Sequence, residues 1–149
     1  MDRTLVIIKP DAVQRGLAGR ILSSLEDRGL RIIALRLTFI SNTMAQALYA
    51  VHEGKPFYAG LMKYMTSSPV VLVVLEGRRA VDLVRKTMGA TDPLEAAPGS
   101  VRGDWGHEVG RNLIHGSDSL DNAAREISIF FDKSDLLEYE RDIDRWVFE

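Results

Sequence analysis

Short apolar runs and helical repeats alternate along the 149-residue chain and predict its elements in order. Leu5 to Ile8 and Val70 to Leu75 are apolar runs rich in branched residues, which indicates buried strands. Between Ile33 and Phe39 apolar residues alternate with others, the two-residue period of a strand. Ile127 to Phe131 completes the pattern as a fourth predicted strand.

Apolar residues three and four positions apart predict helices between these strands. One helix begins at Ala18 and is closed by Gly29, and Ser41 can cap another. Further helices are predicted at Tyr58 to Met65, Ala80 to Met88 and Leu120 to Arg125. The order β-α-β, helical insertion, β-α-β favours a ferredoxin-like α+β sandwich, a four-stranded antiparallel sheet with helices on one face. We expect one domain over residues 1–149.

The segment from Gly89 to Ser119 breaks this regularity, since it holds six glycines and two prolines without a sustained period. A loop of about 30 residues in a compact domain is usually functional or disordered. Trp105 and Leu113 have apolar surface to bury, which disfavours disorder. We therefore expect an ordered, functional loop.

The composition of the chain excludes several classes of site and partner. The absence of cysteine excludes disulfides, thiol nucleophiles and cysteine-bound metals. Nineteen lysines and arginines against 21 aspartates and glutamates give a net charge of −2, so we expect no stable binding to nucleic acid. No apolar run is long enough for a membrane span, and Lys9 interrupts the N-terminal run before a signal peptide can form. We expect a cytoplasmic protein without a membrane partner.

One histidine has neighbours suited to chemistry. His115 lies in the run Asn112 to Asp118, which also carries a glycine, a serine and an aspartate. Arg102 is in the same loop, Arg85 is on the preceding predicted helix, and Lys9 ends the first strand. A lone histidine is more often structural than catalytic, and scattered cations are usually solvated surface. Their grouping around one loop favours a functional site, although the phosphate-binding glycine loop of nucleotide hydrolases is absent.

The chain resembles the nucleoside diphosphate kinase family from about residue 3 to the C-terminus. The segment GRNLIHGSD, residues 110–118, is the most specific match. Weaker matches are IKPD (8–11), QRG (14–16), KPFY (55–58), GATDP (89–93) and RGD (102–104). The resemblance implies a ping-pong exchange: a nucleoside triphosphate, mainly ATP, phosphorylates the enzyme, and a nucleoside diphosphate removes the phosphoryl group.

The resemblance also implies roles for single residues. His115 is the nucleophile, and Tyr49, Ser117 and Glu126 surround it. Lys9 and Asn112 complete the implied catalytic set, and both also hydrogen-bond the ribose hydroxyls of the nucleotide.

The nucleotide would be held by an aromatic platform and by cations. Phe57 stacks on the base, with Val109 on its other face. The residues that hold the phosphates are Arg85, Thr91 and Arg102. Mg²⁺ is the implied cofactor and bridges the phosphates without a direct protein ligand, either alone or with a water-mediated contact to Asp118. Stacking is insensitive to base identity, so the residues themselves predict little base specificity.

The predicted assembly is a homo-oligomer. The tail RWVFE, residues 145–149, resembles that of hexameric family members, which implies a hexamer rather than the alternative tetramer. Pro98 in the long loop and Trp146 and Phe148 in the tail offer apolar surface that a monomer would leave partly exposed. Two other classes of protein stay open: a nucleotide- or nucleic-acid-binding regulator without turnover, and a structural module. Loss of His115 would favour the first, and the second leaves the clustered cations unexplained.

Overall fold

Four strands form one antiparallel sheet in the computed structural model, which describes residues 1–149. They are β1 (Asp2–Ile8), β2 (Arg31–Thr38), β3 (Val70–Gly77) and β4 (Ile114–Gly116). Their order across the sheet is β2-β3-β1-β4, so β1 pairs with both β3 and β4. This order and the two β-α-β units confirm the predicted ferredoxin-like α+β fold.

Eight α-helices connect and flank the strands. They are α1 (Pro10–Gln14), α2 (Ala18–Asp27), α3 (Asn42–Leu48), α4 (Tyr58–Met65), α5 (Ala80–Met88), α6 (Val101–Trp105), α7 (Leu120–Phe130) and α8 (Asp144–Val147). Helices α4 and α5 have the predicted bounds, and Ser41 caps α3 by accepting a hydrogen bond from Met44 N–H at 3.1 Å. The short α1 was not predicted; it begins at Pro10, whose fixed φ suits a first helical position.

Helices cover both faces of the sheet, so the expectation of helices on one face was wrong. All eight residues of β3 are buried, because its side chains point alternately into two cores. Val71, Val73 and Leu75 pack in one core with α2 and α5. On the other face Leu72 packs with α3, α4 and α7. The helical insertion and α7 supply the second layer.

The predicted strand at Ile127 to Phe131 was also wrong, because Ile127 to Phe130 form the last turn of α7 and Phe131 is its C-cap. The buried residues of α7 recur at helical spacing: Ala123, Glu126, Ile127 and Phe130. The branched residues at its end resemble a strand in sequence, but packing against the sheet keeps them helical. The fourth strand is instead β4, which has three residues and lies inside the long glycine-rich loop.

That long loop is folded, as expected, around α6 and β4, and its Val101 and Leu113 are buried. Beyond α7 the chain runs back along β2, where Leu137 N–H donates to the carbonyl oxygen of Ile33 at 2.9 Å. Trp146 near the end of the chain is 81% exposed. None of the helices has the length and apolar character needed to cross a membrane.

Candidate active site

Strand β4 carries His115 to the edge of the sheet, where it lies opposite Ile7 of β1. Its neighbours Ile114 and Gly116 are buried, while the half-buried His115 ring lines a cavity of about 390 Å³. The alternation of a strand therefore presents this one side chain to the cavity. The predicted residues that line the same cavity are Lys9, Tyr49, Arg85, Thr91, Arg102, Asn112, Asp118 and Glu126.

A buried carboxylate fixes the histidine ring. His115 Nε2 lies 2.5 Å from Glu126 Oε1, and Ser117 Oγ–H donates to the same oxygen at 3.0 Å. Since a carboxylate can only accept, Nε2 is the protonated nitrogen in this contact, and in the neutral ring Nδ1 then keeps the lone pair. Glu126 is only 4% exposed and lies on the inward face of α7. Ser119 starts that helix by accepting from Asn122 N–H at 3.1 Å.

The turn before His115 has an unusual backbone. Leu113 is fully buried and has φ +75°, a left-handed conformation that costs a non-glycine residue roughly 1–2 kcal/mol. Two hydrogen bonds hold this residue: its N–H donates to Asp11 Oδ2 at 3.2 Å, and Lys9 N–H donates to its carbonyl oxygen at 2.9 Å. The role of Asp11 was not found from the sequence, where only the Lys-Pro-Asp motif marked it.

Lys9 and Asn112 form one polar pair in the cavity. Lys9 Nζ–H donates to Asn112 Oδ1 at 2.8 Å, and Asn112 Nδ2–H donates to the carbonyl oxygen of Thr91 at 2.9 Å. Burial, assisted by the positive charge of Arg102, lowers the pKa of Lys9 to about 8 against the opposing effect of Asp11. The ammonium group is therefore close to losing its proton at neutral to slightly alkaline pH.

Arg102 is 5% exposed and clamps the loop around His115. Its guanidinium donates to the carbonyl oxygens of Asn112 at 3.1 Å, Ile114 at 2.6 Å and Gly89 at 3.1 Å. Burial lowers its pKa to about 10, so it stays charged at neutral pH. Three of its five N–H groups are used in this way, and two remain for a ligand.

Arg85 and Asp118 are exposed at the cavity mouth. Arg85 Nη1–H donates to the carbonyl oxygen of Gly116 at 3.3 Å. Asn122 Nδ2–H donates to Asp118 Oδ1 at 2.6 Å, and this hydrogen bond lowers the pKa of the Asp118 carboxyl. Arg125, which sequence reasoning missed, also lines the cavity, 3.8 Å from Glu126 Oε2.

Tyr49 closes one side of the cavity with a hydroxyl group that is buried and has no hydrogen-bond partner. A buried hydroxyl without a partner costs about 1–3 kcal/mol, so a ligand atom at this position would be favoured. Burial raises the pKa of the Tyr49 phenol, assisted by Glu126, and the group remains a hydrogen-bond donor at neutral pH.

Phe57 and Val109 lie together in a second cleft of about 480 Å³, and this cleft shares Leu61 with the His115 cavity. Both side chains are about half exposed, Phe57 at 52% and Val109 at 51%. His52, which sequence reasoning missed, packs edge-on against the Phe57 ring at 5.2 Å and lines the main cavity. The aromatic cleft therefore adjoins the cationic cavity.

The cavity is positively charged within a chain of net charge −2. Its cations are Lys9, Arg85, Arg102 and Arg125, against two carboxylates, Asp118 and Glu126. An imidazole in a cationic cavity beside an aromatic cleft is an arrangement typical of a nucleotide phosphotransferase, because such cations position and neutralise phosphates.

Comparison with known proteins agrees with this class. The family model "Nucleoside diphosphate kinase" matches residues 2–136. Nucleoside diphosphate kinases from Thermomicrobium roseum and Herpetosiphon aurantiacus are 54% and 52% identical, over 99% and 100% of both chains. The solved structure of a halophilic nucleoside diphosphate kinase from Halobacterium salinarum in complex with CDP has a TM-score of 0.97, with 48% identity over 100% of both chains.

The chain belongs to the nucleoside diphosphate kinase family. It is a phosphotransferase that moves the γ-phosphoryl group of a nucleoside triphosphate to a nucleoside diphosphate by a ping-pong mechanism.

Proposed function

We propose that His115 Nδ1 accepts the phosphoryl group, mainly from ATP, and passes it to nucleoside diphosphates of any common base. The hydrogen bond from His115 Nε2–H to Glu126 supports this, since it leaves Nδ1 as the ring nitrogen with a lone pair. In the first half-reaction the lone pair attacks the γ-phosphorus, the bond to the β–γ bridging oxygen breaks, and the diphosphate leaves. In the second, a β-phosphate oxygen of the acceptor attacks and the P–N bond breaks.

Residues around the ring stabilise the charge that develops in the transition state. Glu126 offsets the positive charge of the phosphorylated imidazole, and Ser117 orients that carboxylate. The unpartnered hydroxyl of Tyr49 donates to an oxygen of the transferring phosphoryl group. These roles explain why a buried carboxylate and a buried unpaired hydroxyl both face one cavity.

The nucleotide spans the two adjoining clefts in this proposal. The base stacks between Phe57 and Val109, and the ribose hydroxyls bind Lys9 and Asn112. The groups that bind the phosphates are Arg85, Thr91 and the two free N–H groups of Arg102. Stacking tolerates any base, whereas the ribose contacts are specific, because a polar site is penalised when its partner hydroxyl is missing.

We also propose Mg²⁺ as the cofactor. The protein has no group of three histidine, aspartate or glutamate side chains suited to a metal, so its ligands would be phosphate oxygens and water. The exposed carboxylate of Asp118 at the cavity mouth fits a water-mediated contact. When bound there, Mg²⁺ would supply positive charge that offsets the negative charge of the phosphates.

The remaining proposals concern the whole chain. We propose one domain over residues 1–149, a cytoplasmic location and a homo-oligomer, a hexamer rather than a tetramer. The 81% exposure of Trp146 supports association, since a monomer would leave this side chain in water. Light scattering at micromolar concentration tests the assembly: a hexamer is expected, a tetramer would correct its size, and a monomer would refute it.

Labelling tests the nucleophile. The protein is incubated with γ-labelled ATP and Mg²⁺, and the label on the chain should be labile in acid and stable in alkali. His115→Ala should take up none, whereas His107→Ala, a control at an exposed histidine outside the cavity, should label like the parent. Acid-labile label on the His115→Ala protein would refute the assignment.

A further inference from the structure

Asp11 contacts the turn that leads to His115, although the proposed function gives it no role. It lies in the first turn of α1, which directly follows β1. One carboxylate oxygen accepts a hydrogen bond from the Tyr64 hydroxyl, and the other accepts from Leu113 N–H at 3.2 Å. Asp11 thus joins α1 and α4 to the segment that carries the nucleophile.

The contact with Leu113 matters because the backbone there is strained. Leu113 has φ +75°, which a leucine does not adopt without support from its surroundings. Asn112 directly precedes this residue and His115 follows it by two positions, so a return of φ to negative values would redirect both side chains. Lys9 N–H holds the carbonyl side of Leu113, and Asp11 alone holds its N–H.

We propose that Asp11 is a positioning residue that fixes the left-handed turn at Leu113 and thereby aims His115 Nδ1 at the phosphoryl group. The proposal rests on the proposed function of His115. Tyr64 holds the Asp11 carboxylate in place, and its hydroxyl is well suited to this because burial raises its pKa and keeps it a donor.

The same contacts connect the nucleophile to the base cleft. The guanidinium of Arg111 lies 4.3 Å above the Tyr64 ring, and both side chains line the cleft of Phe57. A base in that cleft therefore touches the residue that holds Asp11. Because Asp11 acts on the turn that carries His115, its removal should lower the rate of phosphorylation more than it lowers nucleotide affinity.

Asp11 also affects Lys9 through charge, and the test must separate this effect. The negative charge of Asp11 raises the pKa of Lys9 against burial and Arg102, so removing it makes Lys9 lose its proton at lower pH. If activity is lost because Lys9 loses its proton, the loss should grow with pH and disappear at low pH, where Lys9 is protonated in every variant. A loss through misplacement of His115 would persist at low pH.

The experiment measures the rate constant of His115 phosphorylation at saturating ATP, the KM and the melting temperature, between about pH 6.5 and 9. Asp11→Ala should lower the rate constant about 10–100-fold at every pH, with a smaller rise in KM. Asp11→Asn should stay within about threefold at pH 6.5, since its amide oxygen can still accept from Leu113 N–H.

Asp135→Ala is the matched control. Asp135 also accepts a backbone N–H, that of Asp132 at 2.8 Å, and pairs with Arg36 away from the cavity. This variant should phosphorylate His115 at the parent rate even if its melting temperature falls as far as that of Asp11→Ala. A parent-like rate in Asp11→Ala, or a loss confined to alkaline pH, would overturn the proposal.

A second pair of variants decides the matter if Asp11→Ala does not fold. Tyr64→Phe removes the hydroxyl that holds Asp11 and should slow phosphorylation about three- to tenfold. Tyr139→Phe removes a hydroxyl in the C-terminal segment that donates to the carbonyl oxygen of Ile32 in β2, and this change should not slow phosphorylation. Equal rates in these two variants would refute the positioning role. A parent that forms no phosphohistidine would instead refute the proposed function, before any variant is compared.

Discussion

Replacing Glu126 by glutamine should slow phosphorylation of His115 without weakening nucleotide binding. The substitution keeps an oxygen that can accept from His115 Nε2–H and from Ser117, and it removes the negative charge. Ring orientation should therefore be largely retained. What is lost is the attraction between the carboxylate and the positive charge that grows on the imidazole.

The size of the loss follows from the distance and the burial. Two unit charges about 4 Å apart interact by about 4 kcal/mol at an effective dielectric constant of 20. Glu126 is 4% exposed, so solvent screens it little, but Arg125 lies 3.8 Å away and already offsets part of its charge. A net loss of about 1.4–4 kcal/mol corresponds to a rate roughly 10–10³-fold slower.

Rapid-quench labelling with γ-labelled ATP at saturation measures this rate constant, and titration with ADP measures affinity. The affinity of Glu126→Gln for ADP should stay within about threefold of the parent value. Ser117→Ala, which removes a hydrogen bond to Glu126 and no charge, should lose less than about tenfold. Glu138→Gln, an exposed charge-matched control, should behave as the parent. Phosphorylation of Glu126→Gln at the parent rate would refute the reasoning.

Three further predictions concern single side chains. Phe57→Ala should weaken ADP, GDP, CDP and UDP by similar factors of about 5–150 in a binding titration, since stacking contributes about 1–3 kcal/mol for any base; a loss for one base only would contradict the platform. Tyr49→Phe should not lower the melting temperature, because it removes a buried hydroxyl without a partner, yet phosphorylation should slow about 3–30-fold; a parent-like rate would show that the hydroxyl does not meet the phosphoryl group. The pKa of Lys9 is about 8 in the folded chain, against an ordinary value of 10.5. Between pH 8 and 10.5 the unfolded chain therefore binds more protons, so the free energy of unfolding should rise with pH over this range. Lys9→Met should lack this rise when the free energy of unfolding is measured by chemical denaturation at several pH values. Identical pH profiles for the parent and Lys9→Met would disprove the lowered pKa of Lys9.

The fold was predictable where hydrophobic periodicity is long. Helices α4 and α5 have their predicted bounds, because apolar positions repeat over more than two turns. Prediction was wrong at Ile127 to Phe131, where branched residues resemble a strand but Ile127 to Phe130 form the last turn of α7. Strand β4 was missed because three residues are too few to show a period. The second layer of helices was missed because only tertiary packing decides which face a helix covers.

The residues of the candidate site were predictable from the sequence, but the contacts between them were not. The family resemblance named His115, Glu126 and Ser117, of which only His115 and Ser117 lie in the specific motif, and the structure brings all three within hydrogen-bond distance. The roles of Arg102 as a clamp and of Asp11 as a contact of Leu113 depend on backbone carbonyls and a positive φ, which no side-chain pattern encodes.

The central claim is that His115 accepts the phosphoryl group on Nδ1 while Nε2 is held by Glu126. Phosphorus-31 and nitrogen-15 NMR of protein labelled in its histidine rings, recorded immediately after phosphorylation by ATP, tests it most directly. We expect a phosphorus–nitrogen coupling to Nδ1 of His115 and a proton retained on Nε2. A phosphorus–nitrogen coupling to Nε2 of His115 would contradict the account. So would a phosphoryl group on another residue, if that group is transferred to a nucleoside diphosphate.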